Sequence, residues 1–210
     1  MSHFSVAVFT REPEQEQVEQ LLAPYVEEFD PDSEYTEFIE DDECDYQEST
    51  GKHGYWANPN ARWDWYSIGG GWKDMLKLAD GGKANTALVS EVDCGLNMEA
   101  YRRAEREWEI AVEGADATKE ERDRFWIFWK PQYYIDQYGT KEKYARHAAA
   151  FTTYAFVTAD GEWNETGKMG WWGIDNATMD SRNAYNLAFE KYLELAREQG
   201  LYITIVDCHI

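Results

Sequence analysis

The first strand of the chain is marked by apolar side chains on both of its faces. Phe4, Val6 and Val8 alternate over 3–10, and small or apolar side chains occupy the positions between them. A strand of this kind is covered on both sides, so we expect it at the centre of a sheet. A helix with an apolar stripe follows at 13–24.

A second strand is predicted within the segment 61–72, which reads Ala-Arg-Trp-Asp-Trp-Tyr-Ser-Ile-Gly-Gly-Gly-Trp. Alternation predicts that one face of this strand carries Trp63, Trp65 and Ser67. The other face then carries Asp64, Tyr66 and Ile68. The glycine triplet 69–71 then allows a sharp turn or a close approach of the backbone to another group.

Helical patterns dominate the next part of the chain, which we interpret as an insertion at 93–150. A charged helix is predicted at 99–112 with Trp108 inward, and Thr118 with Glu121 forms a capping box that opens a second helix. The aromatic run 125–129 is predicted to be the body of that second helix. Because this run is apolar almost all round, Trp126 is a candidate for a contact with a partner or with a second copy in a homodimer.

The last part of the chain predicts a hairpin, a helix and a strand. The hairpin covers 151–165 with Asp160-Gly161 at its turn, the helix 181–199, and the strand 201–206. The resulting order predicts an α+β fold, a ferredoxin-like antiparallel sheet with helices on one face and a helical insertion. We expect 1–92 and 151–210 to form this domain and 27–51 to form an acidic loop.

The charge of the chain is strongly negative and unevenly distributed. The net charge is −21, and the first 51 residues carry 16 of the acidic residues against one arginine. This distribution disfavours direct binding of nucleic acid or of an anionic membrane surface. The acidic loop is either a solvated segment or a surface that occupies a basic groove on another protein. The candidate partner-binding residues in it are Glu40, Asp41, Asp42, Glu43 and Asp45.

The cellular setting is predicted from the cysteines and from the hydropathy. Three cysteines are far apart in the sequence, which argues against a disulfide framework and favours a reducing compartment. No signal-peptide pattern is recognised, and no apolar run approaches the roughly 20 residues of a membrane span. We therefore expect a cytoplasmic protein.

The two ends of the chain carry the best candidates for catalysis. If the first and last strands are antiparallel neighbours, His3 lies close to Asp207, Cys208 and His209. Two imidazoles, a carboxylate and a thiol suit acid–base or nucleophilic chemistry, and His3 with His209 could ligate zinc or another divalent metal. The alternative is a structural role, since a neutral histidine beside an aspartate is often a satisfied hydrogen-bonded pair. No cofactor is predicted apart from that metal.

The tryptophan-rich segments are candidates for a ligand pocket. Tryptophans could stack a base, a nucleotide or a sugar, while Asp64 and Asp175 fix its polar groups. The alternative is that these side chains simply fill the core beside the sheet. The candidate ligand-binding residues are Trp63, Asp64, Trp65, Tyr66, Trp72, Trp171 and Trp172.

Several short motifs together resemble a family of hypothetical proteins encoded by bacteriophages and prophages. They include His-Phe-Ser-Val at 3–6, Trp-Asp-Trp-Tyr-Ser-Ile-Gly-Gly at 63–70, Met-Gly-Trp-Trp-Gly at 169–173 and Val-Asp-Cys-His-Ile at 206–210. Family members usually carry Gly-Gly-Arg-Trp where this chain has Gly70-Gly71-Trp72. The resemblance implies a phage setting, and it implies no particular activity.

Three hypotheses for the function follow from these features. The first is a phage accessory protein that inhibits a host protein with a basic surface, such as a defence protein, in the cytoplasm of the bacterial host. The second is a binder or sponge for a nucleotide or another small ligand in the tryptophan pocket. The third is a metal-dependent or acid–base enzyme centred on His3, Asp207 and His209.

Overall fold

The computed structural model describes residues 2–125, 130–170 and 174–210. Its helices are α1 Gln15–Leu22, α2 Met98–Ala111, α3 Lys119–Arg124, α4 Pro131–Tyr138, α5 Lys141–Ala149 and α6 Met179–Glu198. Its strands are β1 His3–Thr10, β2 Glu37–Glu40, β3 Tyr46–Gln47, β4 Lys52–Ala57, β5 Trp65–Ile68, β6 Leu76–Lys77, β7 Lys83–Ala84, β8 Thr86–Leu88, β9 Ala155–Val157, β10 Trp163–Glu165 and β11 Tyr202–His209. None of the described helices is long and apolar enough to cross a membrane.

The chain divides into two compact units. Unit 1 comprises 1–93 and 153–210, and unit 2 comprises 94–152. Unit 2 covers nearly the same stretch of sequence as the helical insertion predicted at 93–150. The combination of separate helices and sheets confirms the α+β class, while the ferredoxin-like arrangement is not confirmed.

The main sheet of unit 1 has β1 at its centre, as its apolar faces predict. The strand order is β10-β9-β1-β11-β5, and β8 also pairs with β11. β1 is antiparallel to β11, as expected, but it is parallel to β9. The prediction of a purely antiparallel sheet is therefore wrong. A long stretch of chain separates β1 from β9, so no tight turn forces them to run in opposite directions.

The two helices of unit 1 lie on opposite faces of this sheet. Val18 and Leu22 of α1 pack in one core cluster with Phe4, Val6 and Val8 of β1. The opposite face carries Phe9 and Phe156, whose rings contact aromatic side chains of α6. The prediction of helices on one face is wrong, because β1 is apolar on both faces and each face needs its own cover.

The acidic segment is more ordered than a loop. β2 and β3 pair with β4 in a small antiparallel sheet of order β2-β4-β3, which we call the acidic sheet and to which the turn 41–45 belongs. Gly54 of β4 has φ +149°, and a Cβ there would lie 2.2 Å from the carbonyl oxygen of Ile39. The close approach of the two strands thus requires glycine at this position. The expectation of an acidic loop at 27–51 is corrected accordingly.

Unit 2 is a small helical unit with an aromatic core. Trp108 is buried, as predicted, and its core cluster includes Ala111 of α2 and Tyr134 of α4. The capping box is confirmed, because Thr118 Oγ1 accepts from the Glu121 N–H while Glu121 Oε2 accepts from the Thr118 N–H. The helix it opens is shorter than predicted, however. Phe125 is the C-cap with extended backbone angles, and the rest of the aromatic run lies outside the described residues.

Candidate functional site

The two terminal strands bring His3 and His209 together at one end of the main sheet. The register of β1 and β11 places His3 directly opposite His209. Their ring centroids are 5.0 Å apart, with the planes at 71° to each other. The antiparallel pairing that the sequence predicts therefore does place the two imidazoles side by side.

Each imidazole is hydrogen-bonded to a different aspartate. Nδ1 of His3 lies 2.9 Å from Oδ1 of Asp207, and Nδ1 of His209 lies 2.6 Å from Oδ1 of Asp64. A carboxylate on Nδ1 fixes the orientation and the tautomer of the ring. Nε2 is then the nitrogen of each ring that can exchange a proton with a bound molecule or bind a metal ion.

The glycine triplet holds the carboxylate of Asp207 in place. The Gly71 N–H donates to Oδ2 of Asp207 at 2.7 Å. Gly70 has φ +50°, and a Cβ on it would lie 2.4 Å from Cβ and from Oδ2 of Asp207. Only glycine allows this approach without displacing the carboxylate. The triplet thus makes the close contact that the sequence predicts, and its target is the aspartate that orients His3.

Trp65 covers the second imidazole. Its ring stacks on His209 with a centroid distance of 5.1 Å and an interplanar angle of 19°, and it is T-shaped to the His3 ring with a centroid distance of 5.4 Å. Trp65 is 45% exposed and the His3 side chain is also 45% exposed, whereas the His209 side chain is only 8% exposed. We call His3, His209, Asp64, Asp207 and Trp65 the two-histidine site. One of its imidazoles faces solvent, and the other lies beneath an accessible indole.

Cys208 does not belong to this site. Successive side chains of a strand point to opposite faces, so Cys208 points away from Asp207 and His209. It packs in the core cluster that contains Phe4, Val6 and Val206. Burial, together with the nearby charge of Asp207, raises the pKa of its thiol well above the ordinary value. The prediction that Cys208 joins the catalytic cluster is therefore wrong.

The strand faces predicted for the tryptophan segment are also corrected. β5 begins at Trp65, and Trp63 lies before it in an isolated bridge with Val26. Trp63 is buried in the core and its indole N–H donates to the Leu22 carbonyl at 3.3 Å. Tyr66 packs edge-on against Trp63 with centroids 5.2 Å apart. Trp63 and Tyr66 are thus core residues on one side of the sheet, and Trp65 lies on the other.

The remaining ligand candidates do not complete a tryptophan pocket within the described residues. Trp72 is half-buried in a short 3-10 helix after β5. Asp175 forms an ion pair with Arg182, whose Nη2 lies 2.9 Å from Oδ2. Trp171 and Trp172 lie outside the described residues, and so does the partner candidate Trp126.

The residues that could ligate a metal ion are His3 and His209, through Nε2. Metal-bound histidines commonly donate from the opposite ring nitrogen to a carboxylate, as both of these rings can do. Among the described residues, there is no group of three or more histidine, cysteine, aspartate or glutamate side chains placed to hold a metal ion.

The partner candidates of the acidic sheet are solvent-accessible. Glu40 forms an ion pair with Lys52, and Oδ1 of Asp41 accepts from the Glu43 N–H at 2.9 Å. These contacts shape the turn after β2 and leave its side chains at the surface. The exposed carboxylates are Glu40, Asp41, Asp42, Glu43 and Asp45.

Sequence reasoning did not identify Asp64 as the partner of His209 or Trp65 as its cover. Both follow from the pairing of β5 with β11, which sets Trp65 opposite His209.

Comparisons with family models, curated proteins and solved structures found no match for this chain.

Proposed function

We propose that unit 1 carries an acid–base catalytic site at His3 and His209. The observation that supports it is the pair of imidazoles 5.0 Å apart, each with Nδ1 on its own carboxylate. A purely structural histidine needs one satisfied hydrogen bond, whereas this arrangement orients two rings beside each other, one of them half exposed. Paired imidazoles can divide the work of general base and general acid.

The exposure of the two rings suggests a role for each of them. His3 faces solvent, so it removes the proton from an attacking water or hydroxyl group. His209, whose ring centroid lies 5.0 Å from that of His3, donates a proton to the leaving group through Nε2. Cys208 is buried on the other face of the sheet, so its thiol does not reach a substrate of this site. The proposed reaction therefore involves no covalent intermediate on Cys208. The reaction class is hydrolysis or transesterification of an ester or a phosphoester.

Trp65 favours a small substrate with a planar group. One face of its indole covers His209, and the exposed part of the ring offers an apolar surface near His3, where aromatic rings bind planar groups by stacking. The net charge of −21 disfavours long polyanions such as nucleic acids. We therefore infer an aryl or nucleoside ester of low molecular weight.

The test is a turnover screen with aryl esters, aryl phosphodiesters and nucleoside cyclic phosphates. We expect turnover of at least one class, its loss after histidine carbethoxylation with diethyl pyrocarbonate, and recovery after hydroxylamine. No turnover of any class, or full turnover by the carbethoxylated protein, would refute the proposal.

A second candidate function is supported by the acidic sheet and by the resemblance to phage proteins. In this proposal the protein inhibits a basic host protein, such as a defence protein, in the bacterial cytoplasm. The specific observation is that four exposed carboxylates lie in the short turn 41–45 between β2 and β3, and a fifth, that of Glu40, lies at the end of β2. Complementary charge speeds association and makes it dependent on salt.

Neutralising this surface is expected to weaken capture of such a partner by about tenfold or more at low salt. The variant carries Glu40→Gln, Asp41→Asn, Asp42→Asn and Glu43→Gln, and the new amide oxygen at position 41 can still accept the turn hydrogen bond. The matched control changes Glu12, Glu14, Glu16 and Glu19, all exposed, to glutamine. Pull-down from host lysate at low and high salt measures the effect. Equal capture by both variants, or capture indifferent to salt, would contradict the proposal.

A further inference from the structure

Unit 2 contains a cleft lined by arginines, which neither proposed function uses. The cleft has a volume of about 440 Å³, and its lining includes Arg102, Arg103, Arg106, Arg124, Glu120 and Glu121. A volume of this order falls in the usual range for small-molecule sites, roughly 300–1,000 Å³. We call these residues the arginine cleft.

The charge of unit 2 differs from that of the rest of the chain. Residues 94–152 contain 10 lysines and arginines and 11 aspartates and glutamates, a net charge of −1. The other residues therefore carry −20 of the total of −21. Half of all basic side chains lie in this unit, and four of them meet at one cleft.

Arg106 is the arginine of the cleft that is held by carboxylates. Its Nε donates to Oε1 of Glu121 at 2.7 Å and its Nη2 donates to Oε2 of Glu121 at 3.1 Å and to the Asp116 carbonyl at 2.9 Å. The hydrogen bond from Arg106 is the main cause that lowers the pKa of Glu121 to about 2. Glu121 is thus ionised and committed to Arg106 across the physiological pH range.

The other three arginines are not neutralised in this way. Among the described residues, no carboxylate lies within ion-pair distance of Arg102, Arg103 or Arg124. Glu99, Glu105 and Glu107 lie three or four positions from Arg102 or Arg103 on α2, yet none of them forms an ion pair with either arginine. Arg102, Arg103 and Arg124 are exposed, so their guanidinium groups remain available to a bound anion.

We propose that the arginine cleft binds a small anion with two or more phosphate groups, in the class of nucleoside diphosphates. Guanidinium groups bind phosphate oxygens through two parallel hydrogen bonds, and three converging arginines can neutralise a diphosphate. Phe125, half-buried at the rim, provides an apolar surface for the nucleoside. Glu121 is paired with Arg106, so Glu120 is the carboxylate that remains to offset the other three arginines. It reduces the positive charge of the cleft without cancelling it.

Calorimetric titration of the intact protein with pyrophosphate and with ADP tests this proposal. We expect saturable binding of ADP, with or without binding of pyrophosphate, that weakens as salt rises. Arg102→Gln/Arg103→Gln should weaken it at least tenfold. The control Lys143→Gln/Arg146→Gln, on α5 of the same unit, removes the same charge and should change it less than twofold. Binding of neither probe, or an equal loss in the control, would overturn the proposal. Circular dichroism of each variant confirms that α2 is intact before its binding is compared.

Discussion

Replacing His3 with alanine is expected to lower kcat/KM for a substrate of the two-histidine site by about 10²- to 10⁴-fold. This is the usual contribution of a positioned general acid or base. His3 is the half-exposed imidazole of the pair, and Asp207 orients it through a hydrogen bond of 2.9 Å. Steady-state kinetics with the best substrate of the turnover screen measures the loss.

His53 provides the matched control for this substitution. It is exposed, its Nδ1 contacts the Cys44 carbonyl at 2.8 Å, and it lies on the acidic sheet. His53→Ala should therefore leave kcat/KM unchanged, because His53 contacts no residue of the two-histidine site, and as a surface change it should alter stability by less than about 0.5 kcal/mol. If His3→Ala kept its turnover but lost stability in urea denaturation, His3 would be a structural residue and the catalytic assignment would fail.

The strand pairing that forms this site could be predicted only in part. Alternating apolar residues on both faces of β1 identify a central strand. Its antiparallel pairing with the last strand was expected from the ferredoxin-like layout, and the structure shows this pairing although it does not confirm that layout. The pairing of β5 with β11 does not follow in the same way. Strands so far apart in the sequence can pair in several registers, and a shift of one residue would turn Trp65 away from His209.

The errors in the tryptophan segment have a local cause. The periodicity of apolar residues extends from Trp63 to Ile68, but the strand itself begins at Trp65. Asp64 lies in a bend, where its carboxylate accepts from the Trp65 N–H at 2.7 Å and also contacts His209. Alternation applies only within a strand, so it could not place Trp63 correctly. The glycine triplet was more informative, because it predicted a sharp turn or a close approach, and the structure shows a close approach of Gly70 to Asp207.

The direction of β9 and the sides occupied by the helices depend on long-range packing. The sequence indicates the hairpin of β9 and β10 through Asp160-Gly161, and the structure confirms it. It does not indicate that β9 lies parallel to β1, because more than 140 positions separate Val6 from its partner Ala155. Phe156 then falls beside Ala7 and faces α6, which fixes the side of the sheet on which that helix packs.

Replacing Phe156 with alanine is expected to reduce the free energy of unfolding by about 3–5 kcal/mol, the usual cost of truncating a buried phenylalanine. Phe156 is 2% exposed, and its ring is within 5.7 Å of the rings of Tyr185, Phe189 and Tyr192 on α6. Its removal leaves a cavity between the sheet and the helix. Because small domains are stable by only about 5–15 kcal/mol, this loss is a large fraction of the total.

Urea denaturation, followed by circular dichroism and by tryptophan fluorescence, measures the change. The control is Phe29→Ala, whose side chain is 59% exposed and which should cost less than about 0.5 kcal/mol. The double variant Phe156→Ala/Phe189→Ala tests whether the two rings act together, since residues in contact show coupling of about 0.5–3 kcal/mol. Additive losses would mean that the two rings act independently. A cost for Phe156→Ala no greater than that of Phe29→Ala would mean that α6 does not pack on this face through Phe156.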